Sequence, residues 1–212
     1  MKTILSDLLH PPIETSLESL VSGQTVKERE YEIYGRVDDL DEVMAKATRS
    51  EYQEQWGMPA DFGKEAGIIG SIRVRMTREG DGDPVYTQTI KAKVEDGSDE
   101  NEMEVSEATF KLFSRLVPNG LLKTRYFFPL KGTEYELEVD VFHDKDGKRY
   151  PLVKIDLEVP EGVDVNKITI PFKLEDPRVI QPGKKSQEDG EFVRNLFANH
   201  YEVKNPLHKK VD

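Results

Sequence analysis

The stretch from Leu121 to Glu158 constrains this chain most, because three alternating runs follow one another in it. They are Lys123-Thr-Arg125-Tyr, Glu136-Leu-Glu138-Val-Asp140-Val-Phe142 and Pro151-Leu-Val-Lys-Ile-Asp156-Leu-Glu158-Val. Strand side chains point to opposite faces with a period of two. Glu136, Glu138 and Asp140 therefore share one face, and Leu137, Val139 and Val141 the other. Asp156 and Glu158 likewise oppose Ile155, Leu157 and Val159, while Lys123 and Arg125 share a face of the opposite sign. Same-face neighbours on a strand sit roughly 6–7 Å apart, where like charges repel by roughly 2.5 kcal/mol at an effective dielectric of about 20. Such a face is tolerable when open and wet; when enclosed, it needs cations to offset it. The pattern fits the solvated face of an antiparallel sheet. It also fits a polar interior in which base stripes hold a polyanion and acid stripes hold its metal.

The rest of the chain narrows the function classes. A length of 212 residues suits one domain, or one with appended segments. Hydrophobic residues make up 36% and charged residues 33%, which is lean for a fully apolar core and suits a partly polar interior. The net charge of −11 argues against a general nucleic-acid or anionic-membrane surface. Any anion must be held in a local basic pocket. No cysteine is present, so thiolate metal sites and nucleophiles are excluded. No apolar run reaches signal-peptide or membrane-span length, and a cytoplasmic location is expected.

In chain order, residues 1–23 read as an extension of short amphipathic pieces around a Pro11-Pro12 break, and 26–37 as a strand. Residues 38–56 read as a helix, with Leu40, Val43, Met44 and Ala47 at helical spacing and Asp38 or Asp39 as cap. A hairpin over 68–94 carries Arg73, Arg75, Lys91 and Lys93 on its polar faces. An acidic loop over 95–101 leads to a strand bearing Glu102 and Glu104, and Ser106 caps a helix ending at Leu116. Asp144-Lys-Asp-Gly147 reads as a plain turn, because it lacks the further oxygen ligands of a calcium loop. A final strand is expected over 168–174, a polar loop over 181–189 and a helix over 191–201. His143 reads as an exposed residue beside a turn, Trp56 and Phe127-Phe128 as packing residues, and Asp140 as either a brace or a metal ligand.

Taken together, the strands resemble the CYTH proteins, or triphosphate tunnel metalloenzymes. Glu28-Arg-Glu30-Tyr-Glu32 is similar to that family's opening Glu-x-Glu-x-Lys strand. Arg73-Val-Arg75, Thr89-Ile-Lys91, Glu102-Met-Glu104, Lys123-Thr-Arg125, Glu138-Val-Asp140 and Asp156-Leu-Glu158 follow in the family's order. The resemblance implies an α+β fold: an antiparallel eight-stranded β-barrel, or tunnel, with a charged interior and flanking helices. It places the tunnel domain at 24–175, with extensions at 1–23 and 176–212, in a monomer or homodimer.

It also implies a metal-dependent triphosphatase acting on inorganic tripolyphosphate or a nucleoside or thiamine triphosphate. The implied metal-side groups are Glu28, Glu30, Glu104, Asp156 and Glu158, holding Mg²⁺ or Mn²⁺. The implied phosphate-side groups are Arg73, Arg75, Lys91, Lys123 and Arg125, with Glu28, Glu30 and Lys91 expected to be catalytic. The chemistry agrees with those residue types: guanidinium forks match phosphate oxygens, and hard divalent cations prefer carboxylate oxygen. One position departs, since Glu32 stands where the family has lysine. An adenylyl cyclase and a non-catalytic binder of a phosphorylated ligand are the alternative readings.

Overall fold

The computed structural model describes residues 3–4, 28–58, 70–94, 97–160, 162–181 and 186–205. Twelve strands occur among them: β1 (Thr3–Ile4), β2 (Glu28–Arg36), β3 (Arg49–Gly57), β4 (Gly70–Glu79), β5 (Val85–Val94), β6 (Gly97–Glu104), β7 (Asn119–Pro129), β8 (Glu136–His143), β9 (Arg149–Pro160), β10 (Thr169–Ile170), β11 (Glu175–Ile180) and β12 (Glu202–Lys204). The α-helices are α1 (Leu40–Met44), α2 (Glu107–Leu116) and α3 (Gln187–Leu196), and a π-helical turn spans Phe197–Tyr201. None of these helices is long and apolar enough to cross a membrane. The architecture is thus an antiparallel, mostly-strand α+β fold. Its strand order, β11-β2-β9-β8-β7-β3-β4-β5-β6, is open at both ends. The expected closed eight-stranded barrel is not what these ladders form.

The chain divides into two compact units. Unit one comprises 1–50, 125–142 and 149–196; unit two comprises 51–124, 143–148 and 197–212. In unit one the inward members of the alternating runs build the core. Ile33, Leu137, Val139, Val141, Val153, Ile155 and Leu157 are all fully buried, against Ile170, Phe172 and Leu174. Each such side chain contributes roughly 1.5–3 kcal/mol on burial, so one apolar face fixes the register and consigns its polar alternates to the other. Short α1 starts at Asp39, whose carboxylate accepts from the Glu42 N–H at 2.9 Å.

Unit two has a smaller core of Trp56, Val74, Phe110, Val117 and Val203. Ser106 caps α2 by accepting from the Thr109 N–H at 3.1 Å, and Phe110 is that helix's buried anchor. Gly120 is required where β7 passes Trp56, since a Cβ there would lie 2.5 Å from the indole and 2.8 Å from the Gln55 carbonyl.

Four expectations fail locally. Much of the acidic loop expected over 95–101 is strand, since β6 begins at Gly97. The helix expected over 38–56 stops at Met44, and β3 follows, paired with β4 from Glu51 opposite Glu79 to Gly57 opposite Arg73. Beyond Ala47 no apolar stripe continues to hold a helix, and the segment pairs with β4 instead. The final strand expected over 168–174 is reduced to Thr169–Ile170, paired with β1. The helix expected over 191–201 begins at Gln187 and ends as a π-helical turn. The remainder of the N-terminal extension expected over 1–23 lies outside the described residues.

Candidate functional site: two charged strand faces

In unit one, β2 and β9 pair so that Glu30 opposes Glu158, Glu32 opposes Asp156 and Tyr34 opposes Lys154. The intervening Tyr31, Ile33, Ile155 and Leu157 are buried in the core. The carboxylates of Glu30, Glu32 and Asp156 can place oxygens within 4.8 Å of one another. Like charges directly opposite on a ladder are destabilising unless something offsets them.

Two cations do so. The Lys154 ammonium donates to Asp156 Oδ1 at 2.6 Å and lies 3.3 Å from Glu32 Oε1. Arg125, on β7, grips Asp140 with Nε at 2.7 Å and Nη2 at 3.0 Å, reaches Glu138 through Nη1, and donates to Asp156 Oδ2 at 3.2 Å. Asp156 thus gives one oxygen to the lysine and the other to the arginine. The Arg125, Asp140, Lys154 and Asp156 side chains are only 15%, 1%, 14% and 7% exposed.

Burial by itself lowers the pKa of a cation, yet both groups move the other way. For Lys154 the Asp156 and Glu32 carboxylates outweigh desolvation, and for Arg125 the Asp140 hydrogen bonds and charge do so. Both stay charged. Tyr34 is pushed well above the ordinary phenol value by burial first, then by Glu32, Asp156, Asp140 and Glu30. It is therefore an O–H donor at physiological pH. Its ring packs edge-to-face on Phe192 at 5.5 Å, and its buried hydroxyl has no hydrogen-bond partner among the described residues.

These features fit a hard divalent cation. The donors are carboxylate oxygens only, the ligand type that hard divalent cations prefer. Joined through Asp156, the five carboxylates of Glu30, Glu32, Glu138, Asp140 and Asp156 meet the two cations Arg125 and Lys154, leaving those seven side chains with excess negative charge.

Unit two carries the second charged face. Arg73 opposes Thr89 and Ser71 opposes Lys91 across β4 and β5; Lys91 opposes Glu100 and Thr89 opposes Glu102 across β5 and β6. Glu100 takes Arg73 Nη2 at 3.4 Å on one oxygen and Lys91 Nζ at 3.0 Å on the other. Thr89 donates to Glu102 at 2.8 Å, and Arg75 donates to Gln55 at 3.4 Å. The Arg73, Lys91 and Glu100 side chains are 34%, 48% and 39% exposed. The Lys91 hydrogen bond, opposed by some burial, holds the Glu100 carboxyl below its usual range.

The expected residues divide between these faces. Glu28 heads β2 opposite Pro160, and Glu158 is exposed on β9. Glu104 belongs to unit two, at the end of β6 opposite Thr87. Lys123 is buried in unit two. Of the five expected metal-side residues, Glu30 and Asp156 are in the three-carboxylate cluster, and its third member is Glu32. Sequence reasoning gave no role to Lys154 or Tyr34. Face parity with Asp156 and Glu32 was the available signal, but only the register shows that they meet.

The remaining assignments are structural. Asp140 braces Arg125, Glu136 pairs with Arg49 at 3.1 Å, and that guanidinium lies 3.2 Å from the centroid of the buried Phe127 ring. His143 is half-buried, 2.9 Å from the Thr124 hydroxyl. Asp144 closes its turn by accepting from the Asp146 and Lys148 N–H groups.

No family model matches the chain, and no curated protein does. Solved structures similar to it include the PH1819 protein from Pyrococcus horikoshii OT3, at 23% identity and a TM-score of 0.41, covering 62% of this chain and 79% of that one. A second is the putative adenylyl cyclase HpAC1 from Hippeastrum, described as having a dominant triphosphatase activity, at 14% identity and a TM-score of 0.37 over 61% and 79% of the two chains. A third is the hypothetical protein NE1496, at 18% identity and a TM-score of 0.34 over 64% and 76%. All three TM-scores are low, and the functional reading rests on the residues.

Proposed function

We propose that this protein is a metal-dependent hydrolase that releases the terminal phosphate of inorganic tripolyphosphate or of a nucleoside or thiamine triphosphate. The observation that carries the reading is the convergence of Glu30, Glu32 and Asp156 within 4.8 Å, on strands whose charge order resembles the CYTH proteins. In this reading those three carboxylates hold Mg²⁺ or Mn²⁺. Bound there, the ion supplies charge neutralisation to phosphate oxygens. The phosphate-side groups that the resemblance implies, Arg73, Arg75, Lys91, Lys123 and Arg125, are guanidinium forks and ammonium groups, side-chain types that match a polyanion. Tyr34 is assigned as a buried O–H donor beside the carboxylates. Phosphoryl transfer to water asks for positioning and neutralisation more than covalent chemistry from the protein, so the absence of cysteine is no obstacle.

The purified protein is to be incubated with tripolyphosphate, ATP and thiamine triphosphate, with Mg²⁺ or Mn²⁺ and after chelation. The expected product is orthophosphate, in a reaction abolished by chelation. Lys91→Ala and Arg73→Ala are each expected to lower turnover by roughly 10²-fold or more, the scale of losing one group that stabilises developing charge. Pyrophosphate with cyclic AMP would replace this reading by the cyclase. Stabilisation by tripolyphosphate without turnover would replace it by the binding module.

A further inference from the structure

We infer that Lys154 is an internal counter-ion for the carboxylate cluster: its ammonium takes the Glu32 and Asp156 oxygens that a divalent cation takes, so Lys154 sets the metal affinity. The inference rests on the reading of Glu30, Glu32 and Asp156 as a metal site. Between Arg125 and Lys154, it is Lys154 that touches two cluster members, at 3.3 Å from Glu32 and 2.6 Å from Asp156. Arg125 touches Asp156 alone among them, and its fork is fixed on Asp140 and Glu138. The two cations therefore differ in what they can do when metal arrives. The guanidinium is a planar fork already bound bidentately, whereas the ammonium is a point charge on a flexible four-carbon stem.

The register explains why the lysine folds back on its own strand. Lys154 and Asp156 share a face of β9, two residues apart, with Tyr34 directly opposite Lys154 and Glu32 directly opposite Asp156. A span of roughly 6–7 Å between same-face Cα atoms is within reach of the lysine stem. Its ammonium can thus sit over the Glu32–Asp156 pair while the side chain remains only 14% exposed. Other charged groups acting on this ammonium include Asp140, which adds to its attraction toward the face. A carboxylate oxygen has two lone pairs and can serve an ammonium and a divalent ion together, but at contact distance the two cations repel. Metal entry therefore works against the close hold of Lys154 on Asp156 Oδ1 and Glu32 Oε1. The displaced group then carries three N–H donors that a phosphate oxygen can take.

The test is calorimetric titration with Mn²⁺ of the full chain as wild type, Lys154→Gln, Lys154→Met and Lys154→Arg. Lys154→Gln and Lys154→Met are expected to bind Mn²⁺ at least about tenfold more tightly, because a positive charge beside the ion has gone. Lys154→Arg keeps that charge and is expected to stay within about threefold of wild type. Should Lys154→Met fail to fold, Lys154→Gln, which retains a donor for Asp156, decides alone. Unchanged or weaker Mn²⁺ binding by Lys154→Gln, with wild type binding normally, overturns the inference and leaves the proposed function standing. No saturable Mn²⁺ binding by wild type or Lys154→Gln overturns both.

Discussion

The charged faces of the two units come from the same kind of sequence, strands with acids or bases at every second position, yet they end in opposite physical states. In unit one the face is sequestered: Asp140 is 1% exposed and Asp156 7%, and each depends on Arg125 or Lys154. In unit two Glu100 bridges Arg73 and Lys91 with about two-fifths of its side chain exposed. The difference teaches that alternation predicts which residues share a face, while burial decides what their charges are worth. A buried pair that loses one member leaves an uncompensated charge; a wet pair that loses one member leaves a solvated residue.

The largest effect is expected at Arg125. Arg125→Leu removes the guanidinium that grips Asp140 and Glu138 and is expected to destabilise unit one by about 3–5 kcal/mol, read as a shift in the denaturant midpoint. A loss below about 1 kcal/mol would mean that this face is far wetter than its burial implies.

An intermediate effect concerns pH. Glu100 has a folded pKa depressed below the usual glutamate value of 4.5, and Asp189, held by Arg178 and Ser186, is lowered to about 2. A depressed carboxylate contributes stability that is present above its unfolded pKa and is lost as pH falls through its folded pKa. Acidification is therefore expected to withdraw the Glu100 contribution as pH falls below the ordinary glutamate range, and that of Asp189 as pH approaches about 2. Side-chain carboxyl titration by NMR reads both midpoints directly, and Lys91→Met should move the Glu100 midpoint upward.

The smallest effect is expected from Glu100→Gln. Removing an exposed bridge should change stability by less than about 1 kcal/mol, and about 0.5 M salt should erase most of that difference by screening. A loss of several kcal/mol would erase the contrast between the two faces.

Much of the fold was legible because burial enforces the period of two: β2, β4, β5, β7, β8 and β9 all follow alternation visible in the chain. β3 was hidden because Arg49–Gly57 has an irregular burial pattern, with Gln53 among its buried residues, so no period marks it as a strand. β11 was hidden for another reason: Pro177 lies within it, Asp176 has φ of 48°, and the ladder shifts register between Glu175 and Arg178. At the candidate site, face parity grouped Glu28, Glu30 and Glu32 but could not say which residue of β9 opposes which. Set against the Glu-x-Glu-x-Lys strand that β2 resembles, Glu32 reads as a replaced lysine; the register sets it opposite Asp156, with Lys154 beside both.

The claim that the unit-one carboxylates form a cation site meets its most direct test in calorimetric titration of Mn²⁺ into wild type and Glu32→Gln. Glu32 is only partly buried, so the substitution leaves the core intact. Saturable one-site binding in wild type, weakened at least about tenfold by Glu32→Gln, is the predicted result, the scale of losing one charged ligand. Equal Mn²⁺ affinity in the two proteins would contradict it.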